Sequence, residues 1–176
     1  GHTRVVRTTP DGEQVIVRYI NPGELFGIAV AMERTTYPAT AVAAVDCVVL
    51  VWPNGAWPEL STRFPTFGAA TYRTIGTRLQ ETQAQVMELA TAQVEQRVAH
   101  ALLRLAHQAG RKTPDGIEID FPITRQDIAE MTGTTLHTVS RLMSAWEERK
   151  LVRGGRQKVT VADPHGLMLV AERRDR

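Results

Sequence analysis

Residues 123–152, ITRQDIAEMTGTTLHTVSRLMSAWEERKLV, carry the pattern on which the reading of this chain turns. Thr124 stands where a helix N-cap is needed. Asp127 follows three residues later, a weaker relative of the Ser/Thr-x-x-Glu capping box. Ile128 and Met131 share one helical face, with Ala129 beside them, and Gly133 breaks the helix where a tight turn needs a permissive backbone. Thr134 or Thr135 then caps a second helix. On it Val139, Leu142, Met143 and Trp146 recur at spacings of three and four, the mark of a buried stripe. Leu136, His137, Ser140 and Arg141 are left facing outward at its start. Were this helix laid in a major groove, those side chains would reach base edges. Together with Thr124, Arg125 and Thr135 at the two helix starts, they are the candidate DNA contacts of the pair.

An ordinary αα-hairpin shares this layout, so the residues that follow decide between the two. Leu151-Val152-Arg153, Gly154-Gly155 and Lys158-Val159-Thr160-Val161 read as a short β-hairpin. Its expected turn is the Gly-Gly pair, which tolerates positive φ. Arg153, Arg156 and Lys158 surround the tip. A cationic hairpin beside a helix pair is suited to phosphate contact, and the combination points to a winged helix-turn-helix.

Composition sets the outer bounds. The 176 residues are 43% hydrophobic and 23% charged, which describes a folded chain rather than a disordered one. No apolar run approaches the roughly 20 residues a membrane helix needs. Residues 1–94 carry 7 Lys/Arg against 8 Asp/Glu, and residues 95–176 carry 14 against 11, so the excess positive charge lies in the half with the helix pair. The single cysteine, Cys47, excludes an intramolecular disulfide. Its apolar surroundings predict a buried, inert thiol, and the cytoplasm is the expected compartment.

Upstream, Thr3–Arg7 and Gln14–Ile20 read as strands joined by a Pro10-Asp11-Gly12 turn. Asn21-Pro22-Gly23 is another turn. A third strand region covers residues 39–52, with Val48-Val49-Leu50-Val51-Trp52 expected as a buried strand. Helical spacing takes over from about Pro58. Ile75, Leu79, Thr82, Val86 and Leu89 repeat at four and three, the seam of a coiled coil, and are the candidate dimerisation residues. A further helix from Val94 ends near Ala109-Gly110, and Gly116–Phe121 alternates as a strand leading into the helix pair. The expected organisation is α+β. A partial antiparallel β-roll spans 1–57, a long dimerisation helix region 58–93, and a C-terminal winged helix-turn-helix 94–176.

This order resembles the CRP/FNR family of transcription regulators, and is closer to its FNR-like branch. The resemblance rests on Gly12-Glu13, Pro22-Gly23-Glu24-Leu25-Phe26-Gly27, Tyr37-Pro38-Ala39-Thr40-Ala41, Glu95-Gln96-Arg97-Val98-Ala99, Ile123–Ala129 and Thr138-Val139-Ser140-Arg141. It implies a cyclic-nucleotide-binding-like jelly roll whose first strands would precede Gly1. It also implies a homodimer on a palindromic double-stranded operator, with RNA polymerase as a further partner if the protein activates. The same resemblance places a weak effector pocket at Glu24, Leu25, Phe26, Tyr37 and Pro38. Tyr37 and Pro38 fall where nucleotide-binding members carry an Arg-Ser pair. Neither supplies a cation and Pro38 has no N–H, so an effector other than cyclic AMP is expected. A cyclic-nucleotide-responsive regulator and an effector-independent DNA-binding protein are the alternatives. Arg141 matches the arginine that reads guanine, and His137 stands where the pattern has Glu.

Catalysis would need a nucleophile–base pair or a ligand cluster. The histidines at 2, 100, 107, 137 and 165 are scattered, and no catalytic residue or metal site is predicted. The sequence names no cofactor.

Overall fold

The sheet and the winged head share one continuous apolar core in the computed structural model, which describes residues 1–173. Residues 174–176, the end of the expected third segment, lie outside the described residues. The first sheet is antiparallel in the order β2-β1-β3, with β1 (Thr3–Thr8) central, β2 (Gln14–Ile20) on one side and β3 (Thr40–Ala43) on the other. The β1–β2 hairpin closes where expected: Thr9 N–H donates to the Glu13 carbonyl at 2.8 Å and Gly12 N–H to the Thr9 carbonyl at 2.9 Å. Its register shifts between Val5 and Val6, a bulge that re-aims the strand.

Helix α1 (Trp57–Arg63) leads through Phe64 into α2 (Pro65–Thr91), whose 27 residues span about 40 Å. Proline stands in the first turn of each, where a missing N–H costs nothing. After Ala92 the chain turns into α3 (Val94–Ala109), capped by reciprocal Gln93 and Gln96 bonds. Then follow β4 (Gly110–Thr113), β5 (Gly116–Ile119), α4 (Arg125–Thr132), α5 (Leu136–Glu148), β6 (Val152–Gly155), β7 (Lys158–Val161) and α6 (Pro164–Ala171). The four late strands form a second antiparallel sheet, ordered β4-β5-β7-β6. Strand β4 carries no alternation and is not expected from the sequence; pairing with β5 holds it.

Three expectations are corrected. Val48–Trp52 forms no strand, and its side chains face outward, with Val48 95% and Leu50 75% exposed. A continuous apolar run signals burial only where a second layer covers it. Among the described residues β3 ends at Ala43 and no strand pairs with 48–52. Cys47 is consequently half-buried rather than buried, its thiol 3.1 Å from the Val45 carbonyl and 3.4 Å from that of His2. The wing turn is also displaced. Gly154 and Gly155 belong to β6, Gly155 pairs with Lys158, and the two turn residues are Arg156 and Gln157, the latter at φ 59°. A Cβ at Gly154 would meet the Glu147 carboxylate, the far end of a side chain that can swing aside.

The core runs without a break from Val6, Ile16 and Tyr19 of the first sheet into Val98, Leu102, Ile128 and Trp146 of the head. Each such side chain contributes about 1.5–3 kcal/mol by burial. Tyr19 stacks on Phe121, ring centres 4.3 Å apart, and His2 meets the same ring at 4.9 Å. Burial first, then the Asp127 carboxylate, push the Tyr19 phenol far above its ordinary range, so it stays neutral.

Candidate nucleic-acid interface

Thr124 caps α4 as a full box. Its hydroxyl accepts from Asp127 N–H at 3.0 Å and donates to the Asp127 carboxylate at 2.7 Å, which also accepts Thr124 N–H at 2.7 Å. Aspartate therefore serves as well as glutamate here. Its second oxygen takes a partner no local pattern announces: Arg4 of β1, 2.7 Å away. Gly133 ends α4 at φ 62°, ψ 45°, the left-handed conformation that turns the chain toward α5. Thr135, not Thr134, caps α5, accepting Thr138 N–H at 3.2 Å.

On α5 the buried stripe is Val139, Met143 and Trp146, with Leu142 partly covered. The opposite face presents Thr135, Leu136, His137 and Arg141 to solvent, with Ser140 half-exposed at its edge. Among the described residues neither His137 nor Arg141 has an ion-pair partner. Both are thus available to an incoming acceptor without first breaking a salt bridge.

The wing stands beside this face. Between it and the starts of α4 and α5 lies a cleft of about 280 Å³. Ile123, Met143 and Val159 form its apolar floor, and Arg125, Gln126 and Lys158 its polar rim. The wing cations are not equivalent. Arg153 is held by the Asp115 carboxylate, and Lys158 lies 3.7 Å from Glu118, whereas Arg156 at the turn has no ion-pair partner among the described residues. Arg125 lies 3.4 Å from Glu147. Arg156 and Arg141 are therefore the cations of this face least committed within the protein.

Three consecutive residues at the start of α3 lock the head together. Glu95 accepts the Trp146 indole N–H at 3.1 Å, Gln96 donates to the Ala171 and Arg173 carbonyls, and Arg97 donates to Thr132 at the end of α4 and to Ala92 at the end of α2. Arg97 thus bridges the end of α2 and the end of α4.

The seam residues of α2 face outward. Ile75 is half-buried, while Leu79 (58% exposed), Thr82, Val86 and Leu89 are open to solvent. At the turn after β2, Glu24 accepts from Arg18 at 2.9 Å and from Asn21 at 3.1 Å, and so serves the turn. Leu25 offers its carbonyl to Arg78 of α2. Tyr37 lies against Gly27 and donates its hydroxyl to Asn54 at 3.2 Å, while Phe26 and Pro38 show no polar contact among the described residues. Sequence reasoning missed Arg18 and Arg78, because neither lies in the motif they surround. Arg78 Nε is buried without a hydrogen-bond partner, and Arg18 Nη1 reaches only Glu81, at 3.8 Å. Burial, with Arg18 second, lowers the Arg78 pKa from its ordinary value.

No helix among the described residues is long and apolar enough to cross a membrane, and none of their His, Cys, Asp or Glu side chains group as a metal site.

Comparison with known proteins converges on the same architecture. The Crp-like helix-turn-helix domain family matches residues 96–170, and the cyclic nucleotide-binding domain family matches residues 1–63. A cyclic AMP receptor protein of Thermus thermophilus is 30% identical over 163 residues, 93% of this chain and 72% of that protein. A global nitrogen regulator of Synechocystis sp. is 27% identical over 169 residues, covering 95% and 75%. The transcriptional activator protein FnrA of Stutzerimonas stutzeri is 25% identical over 171 residues, covering 97% and 70%. The crystal structure of a CRP-family transcriptional regulator, also from Thermus thermophilus, superposes with a TM-score of 0.81 at 26% identity, over 97% of this chain and 84% of that one.

Proposed function

This chain belongs to the CRP/FNR family of DNA-binding transcription regulators, which are not enzymes, and on that premise we propose that it works as a homodimer reading a two-fold operator under control of an effector other than cyclic AMP. The observation that carries the reading is the α5 face. Exposed Arg141 and His137 stand there beside a wing whose turn carries Arg156, all three without an ion pair among the described residues. Arg141 suits bidentate contact with guanine O6 and N7, and Arg156 suits a phosphate. His137 in place of a carboxylate exchanges an acceptor for cytosine N4 for a group that also donates to purine N7. Ser140 completes the reading set. Thr124, Arg125, Thr135, Arg153 and Lys158 are the flanking phosphate contacts of this reading, Arg153 and Lys158 by exchanging Asp115 and Glu118 for phosphate.

Dimerisation through α2 is supported by its exposed seam, Ile75 to Leu89, because a helix of this length leaves such a stripe open only at a cost in exposed apolar area. Two copies so paired would set their α5 helices about 34 Å apart, one turn of DNA. RNA polymerase is the further partner if the site lies where activation is possible.

The effector reading rests on the turn after β2. Tyr37 and Pro38 bring no cation, and the Glu24 carboxylate is already occupied. Two half-buried arginines, Arg18 and Arg78, border the same turn, and their buried, unbonded Nη1 and Nε atoms suit a compact anionic group. An effector there would act by binding more tightly to one of two arrangements of the heads.

Selection of binding duplexes from a random pool, followed by fluorescence anisotropy and sedimentation, tests the proposal. A palindromic site bound by two copies is expected, with Arg141→Ala losing about 1–3 kcal/mol on that site and little on random duplex. His137→Glu should change the preferred base at one position per half-site. Recovery of no duplex above background would overturn the DNA reading; a rise in affinity of about tenfold on adding cyclic AMP, the size of a typical allosteric coupling, would overturn the effector reading.

A further inference from the structure

Helix α4 is held near both ends by arginines from elsewhere in the chain. At its C-terminal end Arg97 of α3 donates to the Thr132 carbonyl at 3.2 Å and, at 3.1 Å, to the Ala92 carbonyl at the end of α2. In its first turn Asp127 takes Nη1 of Arg4, from β1, at 2.7 Å. The two anchors lie about 8 Å apart along the helix axis. A helix fixed at one point can still tilt, whereas fixed at two it keeps one direction. Asp127 passes on the hold because it is buried and its other oxygen is taken by Thr124 at 2.7 Å, so the carboxylate stays with the cap. The sheet adds to the guanidinium. Tyr19 of β2 stands opposite Arg4 in the register, on the same face, and stacks on Phe121 at 4.3 Å, just ahead of the Thr124 cap. None of these groups covers the reading face of α5, where Leu136, His137 and Arg141 stay exposed. Yet α5 packs on α4 through Ile128, Val139 and Met143 of the shared core, so the direction of one helix sets that of the other.

We propose that Arg4 is a positioning residue for DNA reading: by holding the Asp127 end of α4 against the sheet it fixes the direction of α5 relative to α2, and so sets the half-site spacing that a dimer accepts. The proposal rests on the dimeric DNA reading above and adds to it a residue outside the head that touches no DNA. An ion pair that only stabilised the fold would weaken binding to every duplex alike. A positioning pair acts on the spacing between half-sites and leaves the binding of one head to one half-site as it was.

The test titrates three kinds of duplex by fluorescence anisotropy: the selected operator, the same operator with its spacer two base pairs longer or shorter, and a single half-site. Two base pairs move the second half-site by about 7 Å and turn it by about 70°, away from a head held in one direction. The unaltered chain should bind the altered spacers about a hundredfold more weakly, the loss of two-site avidity. Arg4→Ala should bind the selected operator about tenfold more weakly, lose no more than about another tenfold on the altered spacers, and bind the single half-site unchanged. Arg4→Lys, which keeps a cation within reach of Asp127, should recover most of the discrimination. Arg4→Met keeps the stem without the charge and takes the place of Arg4→Ala if circular dichroism shows that variant unfolded. A hundredfold spacing penalty that persists without the cation, equal losses on operator and half-site, no recovery in Arg4→Lys, or no penalty in the unaltered chain overturns the proposal and leaves the DNA reading standing. Failure to bind any duplex, or binding by single copies alone, overturns the reading beneath it as well.

Discussion

The head and the first sheet are built from comparable apolar runs, and only one of them is closed. In the head every stripe meets a partner: α5 buries Val139, Met143 and Trp146 in the shared core, and even the Trp146 indole finds Glu95 of α3. In the sheet, Val6, Ile16 and Tyr19 are covered, but by the head, and Val48–Trp52 is covered by nothing described. The difference teaches that the three strands are not an independent unit in this arrangement. They borrow their second layer from α4 and Phe121, and the Arg4–Asp127 pair lies at that border.

The contrast is easiest to break at Trp146. It is fully buried, and Trp146→Ala should cost about 3–5 kcal/mol, read as a fall in the urea midpoint with loss of helical circular dichroism. A cost under about 1 kcal/mol would mean that the head is far looser than its packing implies. Arg4→Ala comes next. It removes the 2.7 Å pair and leaves the Asp127 carboxylate buried with only its cap bonds, for an expected loss of about 1–2 kcal/mol after allowance for the partial exposure of Arg4. If hydrogen exchange then rises in β1 and β2 as well as in α4, the sheet and the head open together; protection unchanged in the sheet would argue that they are separate units. The smallest effect belongs to Leu50→Ser, which should stay within about 0.5 kcal/mol because that side chain is already in water. A large loss there would show that the segment is covered in solution, and would weaken the contrast from its open side.

Much of the head is legible in the sequence because its determinants are short-range. Thr124 and Asp127 are three residues apart, Thr135 and Thr138 likewise, and the α5 stripe repeats within each turn. The fold class, the antiparallel sheets and the order of elements follow from such patterns. The misreadings share one cause, a local preference standing in for a distant contact. Gly154-Gly155 reads as a turn because glycine permits positive φ, yet the residue that adopts it is Gln157, and both glycines are paired within β6. Val48–Trp52 reads as buried because it is apolar, although apolar character gives only the preference and not the partner. Within the candidate interface the outward face of α5 is legible, but the unequal commitment of the wing cations is not.

What the sequence determined by itself was therefore the helix-turn-helix, its caps, its outward face and the apolar seam of α2. Each depends on dihedral preference or on a periodicity of three to four residues, and these act before any distant contact forms. Only the tertiary structure decided that Arg153 is spent on Asp115, 38 residues away, while Arg156 keeps no ion pair among the described residues. It alone decided that Arg4 reaches Asp127 across 123 residues, tying the sheet to the cap of α4. Such pairs depend on how packed layers juxtapose surfaces, and the separation of two residues along the chain does not encode that.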